Sequence, residues 1–95
     1  MEMPIDMICV CGSDGDIRPL RFRFPGSDRE LKTAAITQVI SSKSIQYVGI
    51  EGIDFLCMAK IGAQESTCIL RYLLRSHSWT LIQTAPPSKR TYRPF

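Results

Sequence analysis

The chain lacks most of the features on which enzyme and cofactor sites are built. It has one histidine, His77, no Gly-x-Ser-x-Gly elbow and no Cys-x2-Cys pair. A catalytic triad needs a base, an orienting acid and an exposed nucleophile in one place. His77 stands in a predicted turn between Ser76 and Ser78, and the usual polarity of turns accounts for all three residues. We therefore expect a protein that is not an enzyme and that holds no cofactor.

Long apolar runs and secretory signals are also missing. No apolar stretch approaches the ~18 residues that a membrane-spanning helix needs. The first residues include Glu2 and Asp6, where a secretory signal would carry basic residues. These absences predict a soluble cytoplasmic protein with no membrane partner.

Length and charge limit the organisation. Ninety-five residues with 44% hydrophobic content allow one small domain with a modest core, which we place at residues 1–84. Up to Thr84 the chain carries nine basic and nine acidic residues, so the net charge of +3 comes from Lys89, Arg90 and Arg93. Pro86-Pro87 opens the segment 85–95, which we interpret as a flexible basic tail.

What the sequence does contain is a two-residue alternation of apolar and polar side chains. Strands are predicted at about residues 4–12 and 17–24, joined by a two-residue Asp14-Gly15 turn. Because side chains alternate between the faces of a strand, the turn fixes which residues share a face. The predicted opposing pairs are Cys11 with Arg18, Cys9 with Leu20, Met7 with Phe22, Asp6 with Arg23, and Ile5 with Phe24.

The middle of the chain is ambiguous. Ser27-Asp28-Arg29-Glu30 matches a helix capping box, and apolar residues of 31–40 fall at helical spacing. The same stretch also alternates and is rich in β-branched residues, which favours a strand. Residues 41–51 show no clear period and are predicted to form a loop or an irregular edge.

Three further strands follow, at about residues 53–61, 67–74 and 79–84. A two-residue turn at Gly62-Ala63 would set Cys57 opposite Cys68, whereas a four-residue loop would set Cys57 opposite Leu70. The last turn, Arg75 to Ser78, would bring Trp79 opposite Leu74 and Leu81 opposite Tyr72. The fold class is therefore all-β, a six-stranded antiparallel meander.

The second face of this sheet is also apolar. Burying a Leu or Ile is worth ~1.5–3 kcal/mol, so several such residues decide the architecture. The sheet should therefore bend strongly into a partly open barrel, or cover this face with a second copy. The residues concerned are Ile8, Val10, Leu56, Met58, Ile69, Leu73 and Ile82.

The sequence contains two groups of residues that resemble parts of metal sites. Cys9 and Cys11, with Cys57 and Cys68, could in principle form a four-sulfur zinc site, but zinc knuckles normally sit in tight turns, whereas these cysteines lie in apolar strands. Buried, reduced thiols fit the pattern better. Asp14-Gly15-Asp16 resembles part of a calcium loop but lacks the distal ligands, so it is interpreted as hairpin chemistry.

Basic residues give the best surface candidate. Arg18, Arg21 and Arg23 lie close together in strand two, and Arg71 could join them if the sheet rolls. Small barrels that bind single-stranded nucleic acid need such residues together with exposed aromatics. Here Phe22 and its aromatic neighbours are predicted to face the core. The tail residues Lys89, Arg90 and Arg93 are a separate candidate for contact with RNA or a protein.

The segments Ile17–Phe24 after an Asp-Gly turn, Ile36–Ile40, Leu70-x-Tyr72 and Trp79-x-Leu81 are spread over Pro4–Gln83. In these features the chain resembles small bacterial proteins of an uncharacterised all-β family. The resemblance implies a strand over 31–40, and it implies no activity.

The function predicted from sequence is therefore a non-enzymatic module for self-association, as a homodimer, or for interaction with another protein through apolar back-face or edge residues. The alternative is weak nucleic-acid binding through the arginines and the tail. Steep loss of affinity with added salt would favour the alternative.

Overall fold

A computed structural model describes residues 2–26 and 28–85, the side chains of 83–85 excepted. Within this part the chain forms six antiparallel strands and no helix. The strands are β1 (Met3–Cys11), β2 (Ile17–Pro25), β3 (Leu31–Tyr47), β4 (Ile50–Ile61), β5 (Gln64–Leu73) and β6 (Ser78–Ala85). Leu31–Ile40 is thus a strand, as the alternation favoured.

The strands follow one another around a closed barrel in chain order. Closure comes from β1 and β6, where Met3 lies opposite Leu81 and Ile5 opposite Trp79. A meander that is apolar on both faces removes most of its free edges by rolling up. The predicted all-β antiparallel meander and its strong bending are therefore confirmed.

The barrel interior is filled by side chains from every strand. Phe22 and Leu70 are its largest fully buried side chains, with Cys57 and Cys68 beside them. The Trp79 ring lies 5.1 Å from that of Tyr72 and 5.5 Å from that of Phe55, between ring centroids. Such aromatic contacts add to the burial of apolar area.

The first hairpin corrects the predicted register near its turn. Gly12 N donates to Asp16 O (2.7 Å), so the loop has three residues, 13–15, with Gly15 at a φ of 92°. Cys11 therefore lies opposite Ile17, not Arg18, and Cys9 opposite Pro19, not Leu20. Leu20 is the extra residue of a β-bulge, which restores the predicted pairs of Met7 with Phe22 and Asp6 with Arg23.

Of the two alternatives predicted for residues 41–51, a loop or an irregular edge, the loop is wrong. β3 continues to Tyr47, which lies opposite Ile50, and the two-residue turn Val48-Gly49 joins the strands. Gly49, the second residue of this turn, has a φ of 79°, which glycine adopts without steric cost.

The predicted registers of the last two hairpins are one correct and one wrong. Gly62-Ala63 is a two-residue turn and Cys57 lies opposite Cys68, the first of the two predicted alternatives. In the last hairpin the predicted register is wrong by two residues, because Tyr72, not Leu74, lies opposite Trp79, and Leu70 lies opposite Leu81. Leu74 N donates to Glu51 O (2.9 Å), one step beyond the last β4–β5 pair, and the Leu74 side chain is exposed.

The turn end of the first hairpin extends beyond the strands on either side of it. Beyond Ile8 on β1 and before Arg21 on β2, the two strands pair only with each other in the described part of the chain. We call residues 9–20 the flap. Its inner face packs on the core through Cys9 and Ile17, whereas Leu20 on it is 42% exposed.

Candidate functional site: the open edge of β3

The longest unpaired stretch of strand lies on β3. β2 pairs with β3 only over Leu31–Ala35, and within the described residues Ile36–Tyr47 pairs on one side alone, with β4. We call residues 36–47 the open edge. An unpaired strand edge presents main-chain donors and acceptors to any chain that can align with it.

The two-residue turn decides which main-chain groups point outward. Tyr47 and Ile50 flank this two-residue turn as an antiparallel pair. The residues that flank such a turn are joined by hydrogen bonds, and bonded and non-bonded pairs alternate along an antiparallel ladder. The amide and carbonyl groups of Gln46, Ser44 and Ser42 therefore point away from β4. The Leu74 N to Glu51 O hydrogen bond agrees, since it shows the carbonyl of Glu51, the partner of Gln46, facing β5.

Little in the composition of the open edge prevents pairing. It contains one charged residue, Lys43, and no proline or glycine. Bulges at Thr37 and Ile40 interrupt its lower half, where the Thr37 hydroxyl donates to Met58 O (3.3 Å). The upper half, 41–47, continues without a bulge.

Apolar side chains accompany this edge. Val39 and Ile40 are 37% and 45% exposed. A surface groove of about 260 Å³ runs beside the upper half, with Leu56 and Ile69 among its lining residues together with Lys43. The edge thus offers both main-chain hydrogen-bonding groups and apolar contact area.

Ile45 holds the upper half of β3 against β4. It is 6% exposed, and it lies opposite Gly52, outside the main core cluster. An added Cβ at Gly52 would come within 3.6 Å of Ile45 Cδ1, so the missing side chain leaves the space that Ile45 covers. This contact keeps the edge in register with β4.

The apolar back face divides into two groups. Ile8 and Val10 are 55% and 38% exposed. The other five predicted residues are partly buried, namely Leu56, Met58, Ile69, Leu73 and Ile82. The exposed apolar residues of this face are therefore those of β1, at and beside the flap.

Three of the predicted arginines are exposed on one strand. Arg18, Arg21 and Arg23 are all exposed on the outer side of β2, and a groove of about 570 Å³ is lined in part by Arg21 and Arg23. Arg23 pairs with Asp6 at 3.4 Å, an exposed ion pair that contributes little.

Arg71 does not join them. It lies on β5, which is not a neighbour of β2 in the barrel. Its guanidinium binds both carboxylate oxygens of Asp54 (2.8 and 3.1 Å) and approaches Glu2 at 3.8 Å. The hydrogen bond to Asp54 raises the pKa of Arg71, and this charge is balanced within the protein. Lys89, Arg90 and Arg93 lie outside the described residues.

The cysteines and the histidine take structural positions. Cys57 and Cys68 are buried in the core and Cys11 is exposed on the flap, and among residues 2–26 and 28–85 no three His, Cys, Asp or Glu side chains cluster as metal ligands would. His77 Nδ1 shares a hydrogen bond with the Tyr72 hydroxyl (3.0 Å). Asp14 Oδ1 accepts a hydrogen bond from Asp16 N (3.0 Å), so the Asp14 carboxylate stabilises the hairpin turn.

Comparisons with protein-family models, with curated proteins and with solved structures find no match to this chain. The resemblance to an all-β family stays a prediction. In the described part of the chain no helix has the length and apolar character needed to cross a membrane.

Proposed function

We propose that the protein is a non-enzymatic module that self-associates, with the open edge of β3 pairing with the same edge of a second copy. The observation that carries the proposal is the unpaired upper half of β3, with the main-chain groups of Ser42, Ser44 and Gln46 facing outward. The exposed Val39 and Ile40 add apolar area beside these groups.

A second copy suits this edge because two identical antiparallel edges are complementary about a two-fold axis. An axis at Ser44 would pair Ser42 with Gln46 of the second copy, so the outward groups of both edges find partners. Charge does not oppose this, since Lys43 is the one charged residue of the open edge. An uncovered edge with so little charge would otherwise favour aggregation.

Sedimentation of the full chain tests the proposal. We expect its mean mass to rise from monomer to dimer between micromolar and millimolar concentration. Ser44→Pro removes one outward amide and leaves the bonds to β4, so it should lower association at least tenfold while the unfolding curve changes little. Ser44→Thr keeps the amide and should associate as the wild type does. A wild-type mass that stays monomeric, or equal association by Ser44→Pro, would contradict edge pairing.

A second candidate is nucleic-acid binding through the exposed arginines of β2. The three arginines on one outer face favour it, but Phe22 and Tyr72 are buried, so the stacking surface that single-stranded binders use is poor on this face. Titration with a labelled oligonucleotide tests it. Binding that weakens steeply with salt and in Arg21→Ala would support this candidate, and salt-insensitive self-association would favour edge pairing.

A further inference from the structure

The groove beside the upper half of β3 is lined by apolar side chains that the protein buries only in part. Its volume is about 260 Å³, and Leu56 and Ile69 supply its apolar lining. These two residues lie opposite one another on β4 and β5, and both are partly buried. Ser41 lies opposite Leu56 on the side of the open edge, so only a small side chain stands between the groove and that edge.

An exposed aromatic side chain ends the same strand. Tyr47 is the last residue of β3 and is 57% exposed. Ser41, Lys43 and Tyr47 are separated by even numbers of residues in a stretch without a bulge, so their side chains share one face of the strand. Within one chain, six residues of strand separate Tyr47 from Ser41, a distance of ~20 Å. The Tyr47 ring and the groove beside Ser41 can therefore meet only between two copies.

The two-fold axis at Ser44 brings these features together. Ser44 is the centre of the stretch 41–47, which has no bulge, so an axis there pairs every residue of the stretch. An axis one residue earlier would set Lys43 directly opposite Lys43 of the second copy, and like charges in that position destabilise a sheet. With the axis at Ser44, Ser41 lies directly opposite Tyr47 of the second copy.

We propose that Tyr47 of each copy inserts into the groove of the other, an inference that rests on the proposed self-association. The ring crosses the small Ser41 side chain and covers Leu56 and Ile69. The outward groups of Ser42 and Ser44 form the hydrogen-bonded pairs of the new ladder, so 41 with 47 is a non-bonded pair, in which side chains lie closest.

The chemistry of the groove suits a tyrosine. Its apolar lining takes the ring, and the hydroxyl group stays in water at the rim. Lys43 lies diagonally from Tyr47 of the second copy, within reach of a long side chain, so its ammonium group can approach the ring face. Tyrosine side chains that fill pockets often dominate the energy of an interface. The two-fold axis gives each dimer two such anchors.

Sedimentation of the full chain tests the anchor. Tyr47→Ala should lower the association constant at least about tenfold, and Tyr47→Phe, which keeps the ring, should stay within about threefold of the wild type. Val48→Ala is the matched control, because Val48 is fully exposed beside Tyr47 but lies in the turn, outside the paired stretch. It should associate as the wild type does. Tyr47 and Val48 are both exposed, so the unfolding curves of the variants should match that of the wild type.

A mixture of two variants tests which residues face one another. Tyr47→Lys and Ser41→Glu each alter both anchors of their own dimer, so each variant alone should associate more weakly than the wild type. A mixed dimer keeps one wild-type anchor, and in the other the two introduced charges attract. Native mass spectrometry of the mixture should therefore show mixed dimers in excess of their statistical share. The two positions lie ~20 Å apart within one chain, so this attraction cannot arise inside a single copy.

The outcomes separate the anchor from edge pairing itself. If Ser44→Pro lowers association and Tyr47→Ala does not, edge pairing stands and the anchor is overturned. A mixture without an excess of mixed dimers would also overturn the anchor, because Ser41 and Tyr47 would then not face one another. A wild type that stays monomeric at millimolar concentration would overturn both.

Discussion

Gly52 offers a sharp test of how closely β4 and β5 pack beside the open edge. It is buried opposite Leu73, and a Cβ added there would overlap the carbonyl oxygen of Tyr72 and lie 3.4 Å from its carbonyl carbon. The obstructing atoms are main chain and cannot rotate away, so Gly52→Ala must push the strands apart. Overpacking of this kind costs ~1–3 kcal/mol.

For a domain of this size, each kcal/mol corresponds to roughly 4–8 °C in Tm, so we expect Gly52→Ala to melt roughly 4–24 °C lower. Thermal unfolding followed by circular dichroism measures the difference. Gly26→Ala is the matched control, because the nearest atoms there belong to the flexible side chains of Lys32 and Asp28, and we expect a change within about 0.5 kcal/mol. If Gly52→Ala melts at or above the wild type, the close approach of the two strands is refuted.

Two further predictions concern charge and burial. Burial raises the pKa of the Cys57 thiol to about 11 and that of the Cys68 thiol to about 12, above the values in the unfolded chain. The contribution of these two thiols to the free energy of unfolding is therefore complete below about pH 8.5, and it is lost as the pH rises through the pKa values of the folded state. Urea unfolding between pH 8 and pH 10.5 should show a falling free energy of unfolding, with a shallower slope in Cys68→Ala; an unchanged slope would count against the burial. Asp54→Ala removes both hydrogen bonds to the mostly buried Arg71 and should cost ~1.5–3 kcal/mol in the same assay, whereas Asp6→Ala, from an exposed pair, should cost under ~1 kcal/mol. Equal costs would contradict the difference in burial.

The strands could be predicted from the sequence because alternation depends on burial of one face, and burial does not depend on the details of a turn. Met7 opposite Phe22 and Cys57 opposite Cys68 are pairs of inward side chains; the first is confirmed, and the second is one of the two alternatives predicted for that hairpin. A slip of one residue at either place would turn a buried side chain to the solvent.

The lengths of the turns were harder to predict, because the same turn residues can form loops of different length. Asp14-Gly15 fits a two-residue turn, yet the loop has three residues, and only the bulge at Leu20 restores the expected pairing. The upper half of β3 was missed for another reason. In the described part of the chain, residues 41–47 pair with β4 alone, and Ile45 is the one buried side chain among them. The sequence of this stretch therefore shows no alternation of apolar and polar residues. The Val48-Gly49 turn was the available signal.

The open edge and the flap have one structural origin. β2 stops pairing with β3 beyond Arg21, at the point where Pro19 and the bulged Leu20 stand. Proline has no amide to donate to a ladder, and a bulge bends its strand, so both features favour departure of β2 from its neighbour. The flap that results carries Cys11 past the core and leaves β3 unpaired beyond Ala35. If β2 paired with β3 along its whole length, the open edge would not be available.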